Sequence, residues 1–220
     1  MLNKYFKHKN PETNISNHLC VARPGLPIIL GLALAFLITW LFSWCVLEII
    51  FLVLFVFCLI FFRDPQRPVP PPGFGLSPAD GKIIRVDEGA VCPITGAKAT
   101  KVSVFLNLFN VHVNRIPIDC RLDSQKYFPG TFVNASFDKA SENNERYAAV
   151  LIDEKNRQVT MIQIAGFVAR RILTWVAPGQ YLQRGQRYGM IMFGSRVDLY
   201  LPPEAEIMVT LGQKVQGGWS

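Results

Sequence analysis

A mainly β domain with short helices (α+β), preceded by an N-terminal transmembrane helical hairpin, is the architecture this sequence predicts. Three observations carry that expectation. Residues 27–62 are almost wholly apolar, basic residues stand on both sides of that run, and β-branched and apolar residues recur in short runs beyond residue 79. Several of those runs alternate with period two and are separated by turn residues, the pattern of half-buried strands.

From Pro27 to Phe62 the ionisable side chains are Cys45, Glu48 and Cys58. One helix over that stretch would be about 54 Å long at 1.5 Å per residue, against a hydrocarbon core of about 30 Å. Two spans of roughly 17 residues, joined near Ser43-Trp44-Cys45, fit the thickness better. Trp40 and Trp44 suit an interfacial turn, and Glu48 near that turn avoids the mid-bilayer cost of a carboxylate. A single long tilted helix or a buried core helix is the competing reading. A cleaved signal peptide is disfavoured by the late start and length of the run and by the lack of a small-residue cleavage site. Lys4, Lys7, Lys9 and Arg23 precede the run and Arg63 and Arg67 follow it, so both flanks carry the cytoplasmic charge signature. The resulting layout is a cytoplasmic tail (residues 1–26), a two-helix membrane anchor (27–62), a connector (63–78) and a β-rich domain (79–220) on the cytoplasmic side of the cell membrane. The connector holds Pro65, Pro68, Pro70, Pro71 and Pro72 and reads as stiff and extended.

Within the domain the predicted strands are Ile83–Val86, Val102–Leu108, Ala148–Ile152, Val159–Ile164, Met190–Phe193, Val197–Leu201 and Ile207–Leu211. The helix candidates are Phe167–Val176 and a stretch around Asp138–Arg146. Cys20, Cys45, Cys58, Cys92 and Cys120 include no Cys-x-x-Cys pair and are odd in number, so reduced thiols are expected, with no disulfide framework and no metal site. Residues 63–220 keep 19 of the 23 Lys+Arg and 14 of the 16 Asp+Glu. That surplus favours an anionic surface, and beside a membrane anchor the surface expected is anionic lipid. No basic stripe studded with aromatics points to nucleic acid.

Chemistry concentrates at Phe193-Gly194-Ser195-Arg196, directly before the strand-like Val197–Leu201. A Gly-Ser bond is open to rearrangement, since glycine tolerates strained geometry and the serine hydroxyl lies a short reach from the preceding carbonyl. His112 is the one histidine beyond the apolar run. In Val111-His112-Val113-Asn114 a strand would turn the valines to the core and put His112 and Asn114 together on an accessible face. A neutral imidazole there can take and return a hydroxyl proton, although a lone histidine also serves as an ordinary surface or core-edge residue. Asp80, in Pro78-Ala79-Asp80-Gly81, fits a common turn dipeptide as readily as a site carboxylate. Arg170 and Arg171 suit either a phosphate clamp, solvated surface charge or a subunit contact. Glu145 and Arg146 fit a helix-end ion pair.

Four segments, Leu76-Ser77-Pro78-Ala79-Asp80-Gly81-Lys82-Ile83, Asn110-Val111-His112-Val113-Asn114-Arg115-Ile116-Pro117, Ser141-Glu142-Asn143-Asn144-Glu145-Arg146 and Phe193-Gly194-Ser195-Arg196, together resemble the phosphatidylserine decarboxylase proenzymes in their short bacterial and archaeal form. The resemblance implies self-cleavage between Gly194 and Ser195, conversion of Ser195 to a covalent pyruvoyl group, and an α/β-chain heterodimer, with room for a homo-oligomer. It also implies a constellation of Asp80, His112 and Ser195, and decarboxylation of phosphatidylserine to phosphatidylethanolamine through a Schiff base to that pyruvoyl group. Arg170, Arg171, Asn114 and Arg115 are the implied substrate-binding residues. The longer family members carry Leu-Gly-Ser-Thr at the cleavage site and a second histidine where this chain has Arg115, so His112 is open to a part in maturation, decarboxylation or both. An archaetidylserine decarboxylase would differ in the lipid tail alone. A membrane-anchored serine hydrolase and a non-catalytic tethered β domain are the readings from other classes.

Overall fold

A computed structural model describes residues 20–131, 143–166, 171–192 and 195–219. The chain divides into two compact units that meet in sequence between Gln66 and Arg67.

In the N-terminal unit a single 3-10 turn, Arg23–Gly25, leads into α1 (Leu26–Leu41), and α2 (Cys45–Phe61) follows. Pro27 sits in the first turn of α1, where a missing N–H leaves no bond unmade. Thr39, buried in an otherwise apolar helix, returns its hydroxyl to the carbonyls of Ala35 (3.1 Å) and Phe36 (2.9 Å). Between the helices Ser43 has a positive φ of 54°, and the rings of Phe42 and Trp44 on either side of it stack 5.5 Å apart. Residues 42–44 separate the two helices. Glu48 lies in the first turn of α2, where the helix dipole favours a carboxylate. The helices pack against each other. At their far ends Ala22 N donates to Phe62 O (2.7 Å) and Asp64 N to Cys20 O (2.8 Å). Residue 25 has to be glycine, since a Cβ there would collide with the Phe62 ring. Arg23–Leu41 is long and apolar enough to cross a membrane, while Cys45–Phe61 is shorter, at 17 residues.

The second unit is antiparallel β. Its strands are β1 (Gly81–Val91), β2 (Lys98–Leu106), β3 (Val113–Arg115), β4 (Cys120–Phe128), β5 (Arg146–Asp153), β6 (Gln158–Ala165), β7 (Ile172–Thr174), β8 (Tyr181–Leu182), β9 (Arg187–Ile191), β10 (Ser195–Leu201) and β11 (Lys214–Val215). Eight of them form a sheet in the order β11-β1-β2-β10-β6-β5-β4-β8, and three form a smaller sheet in the order β3-β9-β7. Two apolar clusters bury residues of the large sheet. Val104, Leu106, Leu151, Met161 and Val197 lie in the main core, and Cys92, Ala148, Ile162 and Tyr200 form a second cluster. Cys92 and Cys120 are buried free thiols, and burial, with Asp119 and Asp153 nearby, pushes the Cys120 thiol up to about 12.

Two expectations are corrected, and a third falls mostly outside the described residues. Of the predicted helix Phe167–Val176, residues 167–170 lie outside the described residues, and Ile172–Thr174 is strand β7, because its β-branched ends pair with Ile191 and Gly189 of β9. The predicted helix around Asp138–Arg146 falls mostly outside the described residues; Asn143 is helical, and Arg146 opens β5. Ile207–Leu211 enters neither sheet. Ile207 and Val209 pack on the main core while Met208 faces outward, and Leu211, also exposed, breaks the alternation. The connector lies on the β unit from Arg67 onward, where Arg184 donates to the carbonyls of Pro70 and Phe74 and Leu76 N donates to Pro117 O (2.9 Å).

Gly81 is required by packing and not by turn geometry, since a Cβ there would drive into the Phe105 carbonyl of β2. Gly81→Ala forces β1 away from β2 and is expected to lower stability by about 1–3 kcal/mol. Urea denaturation of the two proteins measures the difference.

Candidate active site

Ser195 is the first residue of β10, the strand at the middle of the large sheet, and it faces Leu106 of β2 and Ala165 of β6. It is 0% exposed, and its Oγ has no hydrogen-bond partner among the described residues. A buried hydroxyl left unpaired is uncommon and calls for a reason. The third segment closes its flank: Asn144 Nδ2 donates to Ala165 O (2.7 Å), and Ala165 N donates to Glu145 O (2.9 Å). Arg146 does not sit at a helix end; its guanidinium lies 4.8 Å from the Phe128 ring centre.

His112 precedes β3. Its Nδ1 lies 2.9 Å from Asn110 O. A carbonyl only accepts, so Nδ1 carries the proton and Nε2 holds the lone pair of the neutral ring. The His112 carbonyl accepts from Ile191 N (3.3 Å), at the end of β9 and four residues before Ser195. Asn114 Oδ1 accepts from Gln163 Nε2 (2.7 Å), and Gln163 faces Val197 across the β6–β10 ladder. Directly paired residues share a sheet face, so this bond ties β3 to the face that carries Ser195 and Val197. The expected accessible face is corrected here. His112 and Asn114 are both fully buried, as are Val111 and Val113, because the small sheet packs β3 inside the unit.

Asp80 is buried, and both carboxylate oxygens are engaged. Arg67 forms a two-pronged pair with it, through Nη1 to Oδ1 and Nη2 to Oδ2 (2.7 Å), and Gly217 N donates to Oδ1 (2.8 Å). Arg67 Nη1 also donates to Gly217 O (2.6 Å). The first two segments touch directly: Arg115 N donates to Pro78 O (2.8 Å). Arg115 is buried, with Nη1 on Gly185 O (3.0 Å). Arg171 is exposed, and its carbonyl accepts from Met192 N (3.1 Å). Gly194 and Arg170 lie outside the described residues.

Sequence reasoning missed Arg67, Gln163 and the pair behind the serine. Arg196 and Asp198 are fully buried and joined by Nε–Oδ1 (2.6 Å) and Nη2–Oδ2 (2.7 Å) bonds, and Lys101 Nζ stands 3.7 Å from Asp198 Oδ2. The clue was Arg196 and Asp198 at alternate positions of an otherwise apolar run. Burial, followed by the Asp198 charge, raises the pKa of the neighbouring Tyr200 and keeps the phenol neutral.

Ser195 thus presents a buried hydroxyl on the large sheet, His112 a buried imidazole just before the small sheet, and Asn114 and Gln163 an amide pair that joins the two sheets. The family profile described as Phosphatidylserine decarboxylase matches residues 54–220. A protein of Nitrosomonas eutropha named phosphatidylserine decarboxylase proenzyme is 46% identical over 206 residues, covering 93% of this chain and 95% of its own length. Proteins of the same name from Burkholderia lata and Cupriavidus pinatubonensis are 48% and 49% identical, each covering 90% of this chain and 92% of its own length. The chain belongs to the phosphatidylserine decarboxylase family.

Arg67→Ala would leave the buried Asp80 carboxylate without its counter-charge. The expected loss of stability is about 3 kcal/mol, and adding Asp80→Asn should cost less than the two single effects combined. Equilibrium denaturation of the single and double variants checks both statements.

Proposed function

We propose that this chain is a pyruvoyl-dependent phosphatidylserine decarboxylase that matures by cutting itself between Gly194 and Ser195. The observation that carries the reading is the Ser195 hydroxyl, fully buried at the head of the central strand and unpartnered among the described residues. Such a hydroxyl is held for reaction, and position 195 fits a group that must work away from water. Attack of Ser195 Oγ on the Gly194 carbonyl exchanges the amide for an ester, with His112 Nε2 as the base that takes the hydroxyl proton. Elimination then leaves residues 1–194 as a β-chain ending in a carboxylate, with dehydroalanine at position 195. Water replaces its nitrogen, ammonia leaves, and residues 195–220 become an α-chain with a pyruvoyl start. That group supplies a ketone that can condense with a head-group amine and receive the electron pair freed as carbon dioxide departs.

The other residues bind and orient. His112 handles the protons of both stages. Asn114 and Gln163 hold β3 against the serine's face of the sheet. Asp80 is a positioning residue for maturation, acting through Pro78, whose carbonyl accepts from Arg115 N three residues past His112. Arg170 and Arg171, with Arg115, supply cations for a lipid phosphate. The helices α1 and α2 form a transmembrane hairpin with both ends in the cytoplasm, a reading supported by their apolar surfaces and by basic residues on both flanks.

Ser195→Ala should yield one uncut chain of 220 residues without decarboxylase activity. The parent should give two pieces held together by packing, the smaller with a blocked, ketone-bearing first residue. Mass spectrometry of the denatured proteins decides, and an active parent that contains only the intact chain would refute the mechanism. A serine hydrolase would keep its full length and a free hydroxyl. His112→Ala should lower the release of labelled carbon dioxide by about 10²-fold or more, the scale of a lost general acid–base group.

A further inference from the structure

Between β2 and His112 the chain makes a tight turn, Asn107-Leu108-Phe109-Asn110. Three bonds brace it: Asn107 N to Asn110 Oδ1 (2.8 Å), Phe109 N to Asn107 Oδ1 (2.9 Å) and Asn110 N to Asn107 O (3.1 Å). The brace uses asparagine side chains and backbone, and the two residues it carries project outward, Phe109 with 68% of its surface exposed and Leu108 with 36%. Scattered apolar side chains on a surface need no explanation. These two are adjacent, rigidly presented and mechanically joined to the site, because the Asn110 carbonyl that closes the turn also takes His112 Nδ1. From His112 the bonding runs on through Ile191 N and Met192 N to the carbonyl of Arg171, whose side chain is exposed.

We propose that this turn is a membrane-contact point belonging to the β unit itself, with Leu108 and Phe109 entering the apolar layer of an anionic bilayer and Arg171 meeting its phosphates. The inference rests on the proposed lipid substrate. Two apolar side chains at a tip fall far short of the roughly 800 Å² per partner that a stable protein interface buries. They suit an interface where apolar groups dip below the head groups and cations stay among them. The formal charge of +7 is complementary to anionic lipid. A serine head group stays at the bilayer surface while its tails remain inside, so a contact point on the turn that holds His112 brings the imidazole to the depth of the head group.

The test uses the full chain. The parent and Leu108→Ser/Phe109→Ser are assayed on phosphatidylserine-containing vesicles and on a short-chain phosphatidylserine dispersed as monomers. The expected result is a loss of about tenfold in kcat/KM on vesicles with the monomeric substrate unaffected. An equal loss on both substrates assigns the turn to the folding of the site and overturns the proposal, as does no loss on either. A parent inactive on both would sink the proposed function instead. A second readout does not depend on activity: a photoreactive benzoylphenylalanine at position 109 should crosslink to vesicle lipid, while the same group at the exposed Val91 should not. Crosslinks at position 109 to protein, or none to lipid, would overturn the contact point whatever the enzyme's reaction is.

Discussion

The ladders on both sides of β10 hold the catalytic unit together. Ser195–Leu201 pairs with β2 on one side, and Ser195–Tyr200 pairs with β6 on the other. All other members of the large sheet hang from one of those neighbours: β1 and β11 reach the sheet through β2, and β5, β4 and β8 reach it through β6. A strand so placed is buried on both faces, and six of its seven residues are. The position constrains the chemistry as well. A hydroxyl at the first residue of such a strand is fixed by ladder bonds on both sides, so its direction is set by the sheet and not by a loop.

Around that strand the elements are drawn in by backbone bonds more than by side chains. The Pro78 and Pro117 carbonyls lock the first segment to the second, the His112 carbonyl locks the second to the end of β9, and the Glu145 carbonyl locks the third to Ala165 beside Ser195. Backbone groups buried without partners are costly, so each such bond also removes a penalty that the closely packed turns would otherwise incur. The Arg67–Asp80 pair extends this to the C-terminal stretch, because the guanidinium and the carboxylate each hold Gly217. A buried ion pair of this kind is weak evidence for net stability, but it fixes one arrangement, since either partner alone would be an uncompensated charge.

Strands built from runs of β-branched and apolar residues were legible in the sequence. Val197–Leu201 and Ala148–Ile152 lie within β10 and β5. Ile207–Leu211 is such a run too and forms no strand, because the run alone does not say whether the backbone finds a ladder. Ile172–Thr174 shows the reverse, a segment too short for any period to register, made a strand by its partner β9. His112 and Ser195 could be singled out as chemistry-bearing residues from the sequence. That His112 and Asn114 are buried could not, since a local strand pattern carries no trace of the large sheet against which β3 packs. Arg67 and Gln163 were invisible for the same reason, because their partners Asp80 and Asn114 lie in other elements.

The residue after the serine explains how the proposed cut could leave a working site. A chain end ordinarily frays, and residue 195 would become one. Arg196 opposes this in two ways. Its backbone is flanked by Phe105 and Ile164 in the two ladders, and its guanidinium is forked onto Asp198 with both groups fully buried. None of these bonds involves residue 194. Asp198 is in turn approached by Lys101 of β2, so the pair is coupled to the neighbouring strand as well. Alternation sends Ser195 and Arg196 to opposite faces of the sheet, which keeps the charged fork out of the reacting space while it clamps the backbone one residue away. The position of residue 195 therefore depends on interactions that survive scission, and a group formed there inherits the rigidity of the central strand and not the freedom of a terminus.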